Sequence, residues 1–85
     1  MNMDRVEIMR KIEELLKKEL NVITSINDKT ALLQDNILDS LDFMNYVTMV
    51  ESSFSISISN EDISDFKLGV VGNMVTYIEQ RIKKC

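Results

Sequence analysis

Leu41, Met44, Val47, Val50 and Phe54 recur at intervals of three and four residues, which is the repeat of one helix face and excludes a strand there. The repeat starts directly after Asp39-Ser40, so Ser40 is expected at the entrance of a helix that turns this stripe toward a core. Two other stretches follow the same rule. Residues 3–20 place Val6, Met9, Ile12, Leu16 and Leu20 on an inner face, with Ile8 and Leu15 widening it. Glu7, Arg10, Lys11, Glu14, Lys17 and Lys18 line the opposite side. The pairs Glu7-Lys11, Glu13-Lys17 and Glu14-Lys18 have the favourable i to i+4 order, so this face reads as solvated surface. From about Val70 the residues Val71, Met74, Val75, Ile78 and Ile82 form a third stripe, and Arg81, Lys83 and Lys84 sit where cations complement the helix dipole.

The connections are less regular. Residues 21–38 form a long polar-then-apolar segment, with Val22, Ile26, Leu32, Leu33 and Ile37 available to pin it to the core. Ser55-Ile56-Ser57-Ile58-Ser59 alternates with the period of a strand. No second segment offers it a partner, so an extended loop with Ile56 and Ile58 turned inward is expected instead. Asn60 then reads as the N-cap of a short helix with Glu61 and Asp62 in its first turn and Ile63 and Phe66 directed at the core. The expected fold is all-α, a bundle of three main helices plus one short one with a long first loop.

Eighty-five residues, 45% of them hydrophobic, suffice for one small domain over residues 1–85 and one core. With no histidine and a single cysteine, the chain lacks the usual parts of a nucleophile-base pair or a zinc site. It is not expected to be an enzyme. Cys85 can form no internal disulfide, which fits a reducing cytoplasm. Residues 1–19 alternate charged and apolar positions, unlike a secretory signal or a membrane span. Net charge is -4, but residues 30–66 contain seven acids and no lysine or arginine. Such a stretch repels nucleic acid and suits a basic protein partner. Calcium binding fails on spacing: Asp35, Asp39 and Asp42 lie four and three apart, without the glycine of an EF-hand loop.

The segment Ile37-Leu38-Asp39-Ser40-Leu41-Asp42 carries the functional reading. A helix entrance offers free backbone N–H groups and the positive end of the dipole, and both favour a phosphate. With its Asp-Ser-Leu triplet, long preceding loop, helical register after Leu41, Glu51 and Phe54 in an acidic-then-aromatic arrangement, and final amphipathic helix, the chain resembles the acyl and peptidyl carrier proteins. The resemblance covers nearly the whole chain. It implies that Ser40 accepts phosphopantetheine from coenzyme A and that the arm carries a thioester. It further implies a phosphopantetheinyl transferase and acyl- or aminoacyl-loading and downstream biosynthetic enzymes as partners of a monomeric carrier, with no nucleic acid and no membrane involved.

Asp39, Leu41, Asp42, Phe43 and Glu51 are the candidate partner contacts. Asp39, Asp42 and Glu51 match positions at which the family docks on arginine and lysine, whereas Asn45, Ser52 and Ser53 stand where fatty-acid carriers commonly have acids. Phe43 lies off the main stripe and reads equally as a side chain packed on the preceding loop or as an apolar contact. Ile37 replaces a frequent glycine of the family and brings the motif closer to D-alanine carriers and carriers of specialised pathways. The competing reading is an unmodified helical adaptor that binds a partner through the acidic second helix and Phe43. On the triplet alone the plain cap is the favoured reading of Ser40; the loop length, the hydrophobic register and the four-helix plan reverse that preference toward attachment.

Overall fold

In the computed structural model, which describes residues 3–83, four helices follow one another. They are α1 Arg5–Glu19, α2 Ser40–Phe54, α3 Asn60–Asp65 and α4 Val71–Lys83. The all-α expectation holds. α1 packs on both α4 and α2, and one hydrophobic cluster gathers side chains from α1, α2, α4 and the loops between them. Lys84 and Cys85 lie outside the described residues, as does the side chain of Lys83.

α1 starts at an Asp4 cap whose carboxylate accepts the Glu7 N–H at 2.9 Å. Its buried residues are Ile8, Ile12, Leu15 and Leu16, so the side chains expected only to widen the stripe form part of its centre. Val6 is 73% exposed. It precedes Ile8 by two residues, half a turn around the helix, and so falls on the far side. Of the three expected charge pairs, Glu13-Lys17 and Glu14-Lys18 are present at 4.0 and 3.7 Å. α4 buries Val71, Met74, Val75, Ile78 and Ile82, the stripe expected from sequence.

The long connection is fixed at both ends and in its middle. Asn21, with φ of 57°, turns the chain out of α1. Val22, Ile26, Leu32 and Leu38 are buried, while Leu33, expected as a pin, is 40% exposed. A single antiparallel bridge joins Ala31 to Val70, and the Leu32 N–H donates to the Gly69 carbonyl at 2.8 Å. The Val71 and Gly72 N–H groups at the start of α4 donate to the carbonyls of Thr30 and Asp28 at 2.9 and 2.8 Å. The loop therefore satisfies donors that no turn of α4 could reach. Gly72 is required for this approach, since a Cβ there would stand 2.5 Å from the Asp28 carbonyl oxygen.

Ser55, expected at the start of the extended loop, is instead the left-handed cap that ends α2, φ 55° and ψ 47°; residues 56–59 form the expected loop, with Ile58 buried and Ile56 half-buried. Their lack of a strand partner is met by Glu51, whose Oε2 accepts the Ile58 N–H at 2.8 Å. The cap of α3 is Ser59, one residue earlier than expected: its hydroxyl accepts the Asp62 N–H at 3.1 Å. Phe66 does not enter the core. It is 53% exposed and tilts against the Tyr77 ring at 5.6 Å, while Leu68, fully buried, occupies the interior.

α3 buries no residue fully and is tied to α4 by polar contacts. The Tyr77 hydroxyl donates to Asp62 Oδ2 at 2.6 Å, and Arg81 Nη2 donates to the same oxygen at 2.8 Å and to the Tyr77 hydroxyl at 2.7 Å. The Tyr77 hydrogen bond holds the Asp62 carboxyl below its ordinary range against partial desolvation, and the Arg81 charge adds to the lowering. A depressed native pKa stabilises the fold above the unfolded carboxylate value, and the contribution disappears as pH falls through the native one. The stability difference between wild type and Asp62→Asn, measured by urea unfolding at a series of pH values, is therefore expected to be largest near neutrality and to shrink on acidification below about pH 4.

Tyr46 is the largest fully buried side chain. Its hydroxyl has no hydrogen-bond partner among the described residues, and burial pushes its pKa far up. An unmet buried hydroxyl costs about 1–3 kcal/mol. Tyr46→Phe is expected to raise unfolding free energy by about 1 kcal/mol, and an equal loss would show that the hydroxyl is satisfied.

Candidate functional site

The site is the entrance of α2. Asp39 occupies the cap in an extended conformation, φ -83° and ψ 179°. Its Oδ1 accepts the Asp42 N–H at 2.8 Å and its carbonyl accepts the Phe43 N–H at 2.9 Å. Leu38, buried immediately before it, anchors the chain at this point. On the other side of the cap, the Ile37 and Leu38 N–H groups both donate to the Leu32 carbonyl at 3.0 Å, and Asp35 Oδ2 accepts the Ala31 N–H at 3.1 Å. The approach to α2 is thus a closed turn with its own hydrogen bonds.

Ser40 is the first residue of α2 and is exposed. Because Asp39 has taken the cap, the Ser40 hydroxyl is not consumed by the helix, and no side-chain hydrogen bond holds it among the described residues. The residue is therefore open to contact by another protein. An attached phosphate would find the unpaired N–H groups of the first helical turn beside it. The carboxylates of Asp39 and Asp42 offset that attraction, so the arrangement favours display of the group over clasping it.

The neighbouring side chains divide differently from the sequence pattern. Phe43 is 4% exposed, tilted against Tyr46 at 5.8 Å and packed near Gly69, so it corrects the expectation of a partner contact. The large aromatic pair Phe43 and Tyr46 takes the inward face together with Val47, Val50 and Phe54, since rings bury the most apolar area. Leu41 and Met44, expected on the inner stripe, are rotated outward and are 72% and 45% exposed. For Leu41 this leaves the expected surface role open, and Met44 is the surface residue that the sequence pattern had assigned to the core. An apolar second register at 43 and 46 was the available signal. Glu51 has a role within the chain that the sequence pattern did not show: its half-buried carboxylate turns back to accept the Ile58 N–H. Among the described residues, no acidic, histidine or cysteine cluster could hold a metal ion, and no helix is long and apolar enough to cross a membrane.

Comparison with known proteins decides the family. The chain is 32% identical over 79 residues to the acyl carrier protein of Thermotoga maritima, an alignment covering 92% of this chain and 95% of the relative. It is 35% identical over 83 residues to that of Buchnera aphidicola subsp. Schizaphis graminum, covering 96% and 100%. The chain belongs to the acyl carrier protein family. A third relative, the acyl carrier protein of Phytoplasma australiense, is 34% identical over 76 residues, covering 88% and 97%. No protein-family model matches the chain, and no solved structure matches it at a significant level. Family membership makes the chain a carrier and not an enzyme. For this carrier the cap geometry yields a direct check. Asp39→Ala is expected to cost about 1 kcal/mol of stability and Ser40→Ala less than about 0.5 kcal/mol. The reverse order in urea unfolding would make Ser40 the cap.

Proposed function

We propose that Ser40 is the attachment point for phosphopantetheine, transferred from coenzyme A by a separate transferase, and that the chain presents an acyl or aminoacyl group to successive biosynthetic enzymes. The observation that supports this reading is the exposed Ser40 hydroxyl at the first position of α2 in a chain of this family, left free by the Asp39 cap. The arm supplies the thiol on which cargo is held as a thioester. The residues present suit such a group: the hydroxyl accepts the phosphodiester, and the helix entrance points it away from the core.

In the transfer the Ser40 oxygen attacks the phosphopantetheinyl phosphorus of coenzyme A, its proton passes to a base of the transferase, and the pyrophosphate bond breaks with adenosine 3′,5′-bisphosphate as the leaving group. Thereafter the protein contributes position alone. Tethering keeps an intermediate at high effective concentration near each active site, while loose docking allows partners to exchange. A reducing cytoplasm suits an arm that ends in a free thiol, and the 85 residues serve as one carrier domain.

Intact-mass measurement after incubation with coenzyme A and a broad-specificity transferase tests the reading. Wild type is expected to gain one phosphopantetheinyl group and Ser40→Ala none. A wild type that stays unmodified, or a variant that gains the group, contradicts it. Full biological function of the unmodified Ser40→Ala protein would instead support the helical adaptor.

A further inference from the structure

The first loop encloses a hollow beside the site. It has a volume of about 370 Å³ and runs from Leu20 and Asn21, where α1 ends, to Asn36 and Ile37, three residues short of Ser40. Asn21, Thr24, Ser25 and Asn36 line it with exposed side chains that make no hydrogen bond to the rest of the chain among the described residues. Thr30 and Asp35, which also line it, are already engaged. Thr30 Oγ1 accepts the Asn27 N–H at 3.0 Å, and Asp35 Oδ2 accepts the Ala31 N–H at 3.1 Å. Ile23, 97% exposed, and the half-buried Ile37 add apolar side chains to the rim.

The hollow is formed before any guest arrives. Asn21 and Asn36 turn the chain at its two ends with φ of 57° and 56°, the Val22 N–H donates to the Leu16 carbonyl at 3.0 Å, and the Asn36 N–H donates to the Leu33 carbonyl at 3.1 Å. Buried Val22 and Ile26 pin the loop from below. A site whose backbone is already fixed loses little freedom when it is filled. Unspent amide and hydroxyl groups beside two isoleucines suit a ligand that alternates amides with short apolar pieces. The phosphopantetheine arm is such a ligand: outward from its phosphate it carries a geminal methyl pair, a hydroxyl and two amides separated by methylenes, and it ends in the thiol. Its length fits as well. Ile37 lies within about 11 Å of Ser40 by chain length alone, and the arm, with about as many backbone bonds as four residues, spans about 14 Å when extended.

We propose that the phosphopantetheine arm on Ser40 folds back along this hollow when no enzyme holds it, with its methyl pair against Ile37 and its amides on Asn21, Thr24, Ser25 and Asn36. This inference rests on attachment at Ser40 and adds a resting place for the arm on the carrier itself. Contacts as exposed as these exchange readily for those of an enzyme.

The test is nuclear magnetic resonance on the isotope-labelled full chain before and after modification by a broad-specificity transferase with coenzyme A, with complete modification established by intact mass. Attachment alone perturbs the immediate neighbours of Ser40, so the reporters are Asn21 to Ser25, at least fifteen residues away in the chain. Their backbone signals and the side-chain amide signals of Asn21 and Asn36 are expected to shift, and the methyl pair of the arm is expected to show through-space contacts to Ile37. The paired change Asn21→Gly with Asn36→Gly removes both side-chain amides while suiting the left-handed backbone. It is expected to reduce the shifts at Thr24 and Ser25 at least about twofold and to leave the rate of modification within about twofold of wild type. A fully modified wild type whose signals over residues 21–25 stay in place, or whose arm contacts Leu33, Lys67 and Val70 in the neighbouring groove, overturns the inference while leaving attachment at Ser40 intact. Undiminished shifts in the paired variant overturn it as well. Absence of any mass gain on wild type overturns the attachment reading and this inference with it.

Discussion

A single hydrogen bond, from the Asp42 N–H to Asp39 Oδ1 at 2.8 Å, sets the character of the site. A helix begins with N–H groups that lack intrahelical partners, and something must accept from them. Were Ser40 to do so, its hydroxyl would be tied to the helix and the stripe would begin one residue later. Asp39 takes the task, and Ser40 is displaced into the first turn with its oxygen exposed. Capping and exposure thus fall on adjacent residues.

The rest of the fold holds that entrance still. Buried Leu38 fixes the chain immediately before the cap, and the Ala31–Val70 bridge with the Gly72–Asp28 contact locks the loop to the start of α4. Phe43 secures the first turn of α2 from inside, against Tyr46 and Gly69. Glu51 performs the corresponding task at the other end of α2, satisfying an extended segment that has no strand beside it. Together these contacts give a firm base beneath the exposed Ser40.

The stripe of α4, the long first loop and the extended segment after α2 were legible in the sequence because periodicity and chain connectivity leave few alternatives there. The rotation of α2 was not. Its apolar residues include 41, 43, 44, 46, 47, 49, 50 and 54, enough for two overlapping stripes that share Val47, Val50 and Phe54. Tertiary packing chose the one with the rings inside, and so moved Leu41 and Met44 to the surface and Phe43 away from it. A similar offset put Val6 outside on α1, because its partners in the stripe were counted from Met9 and not from Ile8. The chemical signal was clearer, since an Asp-Ser pair at a helix entrance has only two ways to divide capping and exposure. The inward turn of Glu51 depended on the loop seven residues later and left no mark in the local pattern.

Peptide mapping of the protein isolated from its own cells addresses the central claim most directly. Residues 30–66 contain no lysine or arginine, so trypsin releases one peptide ending at Lys67 that holds Ser40 together with six other serines. The account predicts that fragmentation of this peptide places a phosphopantetheinyl mass on Ser40. A peptide recovered wholly unmodified, or modified at another of its serines, would contradict it.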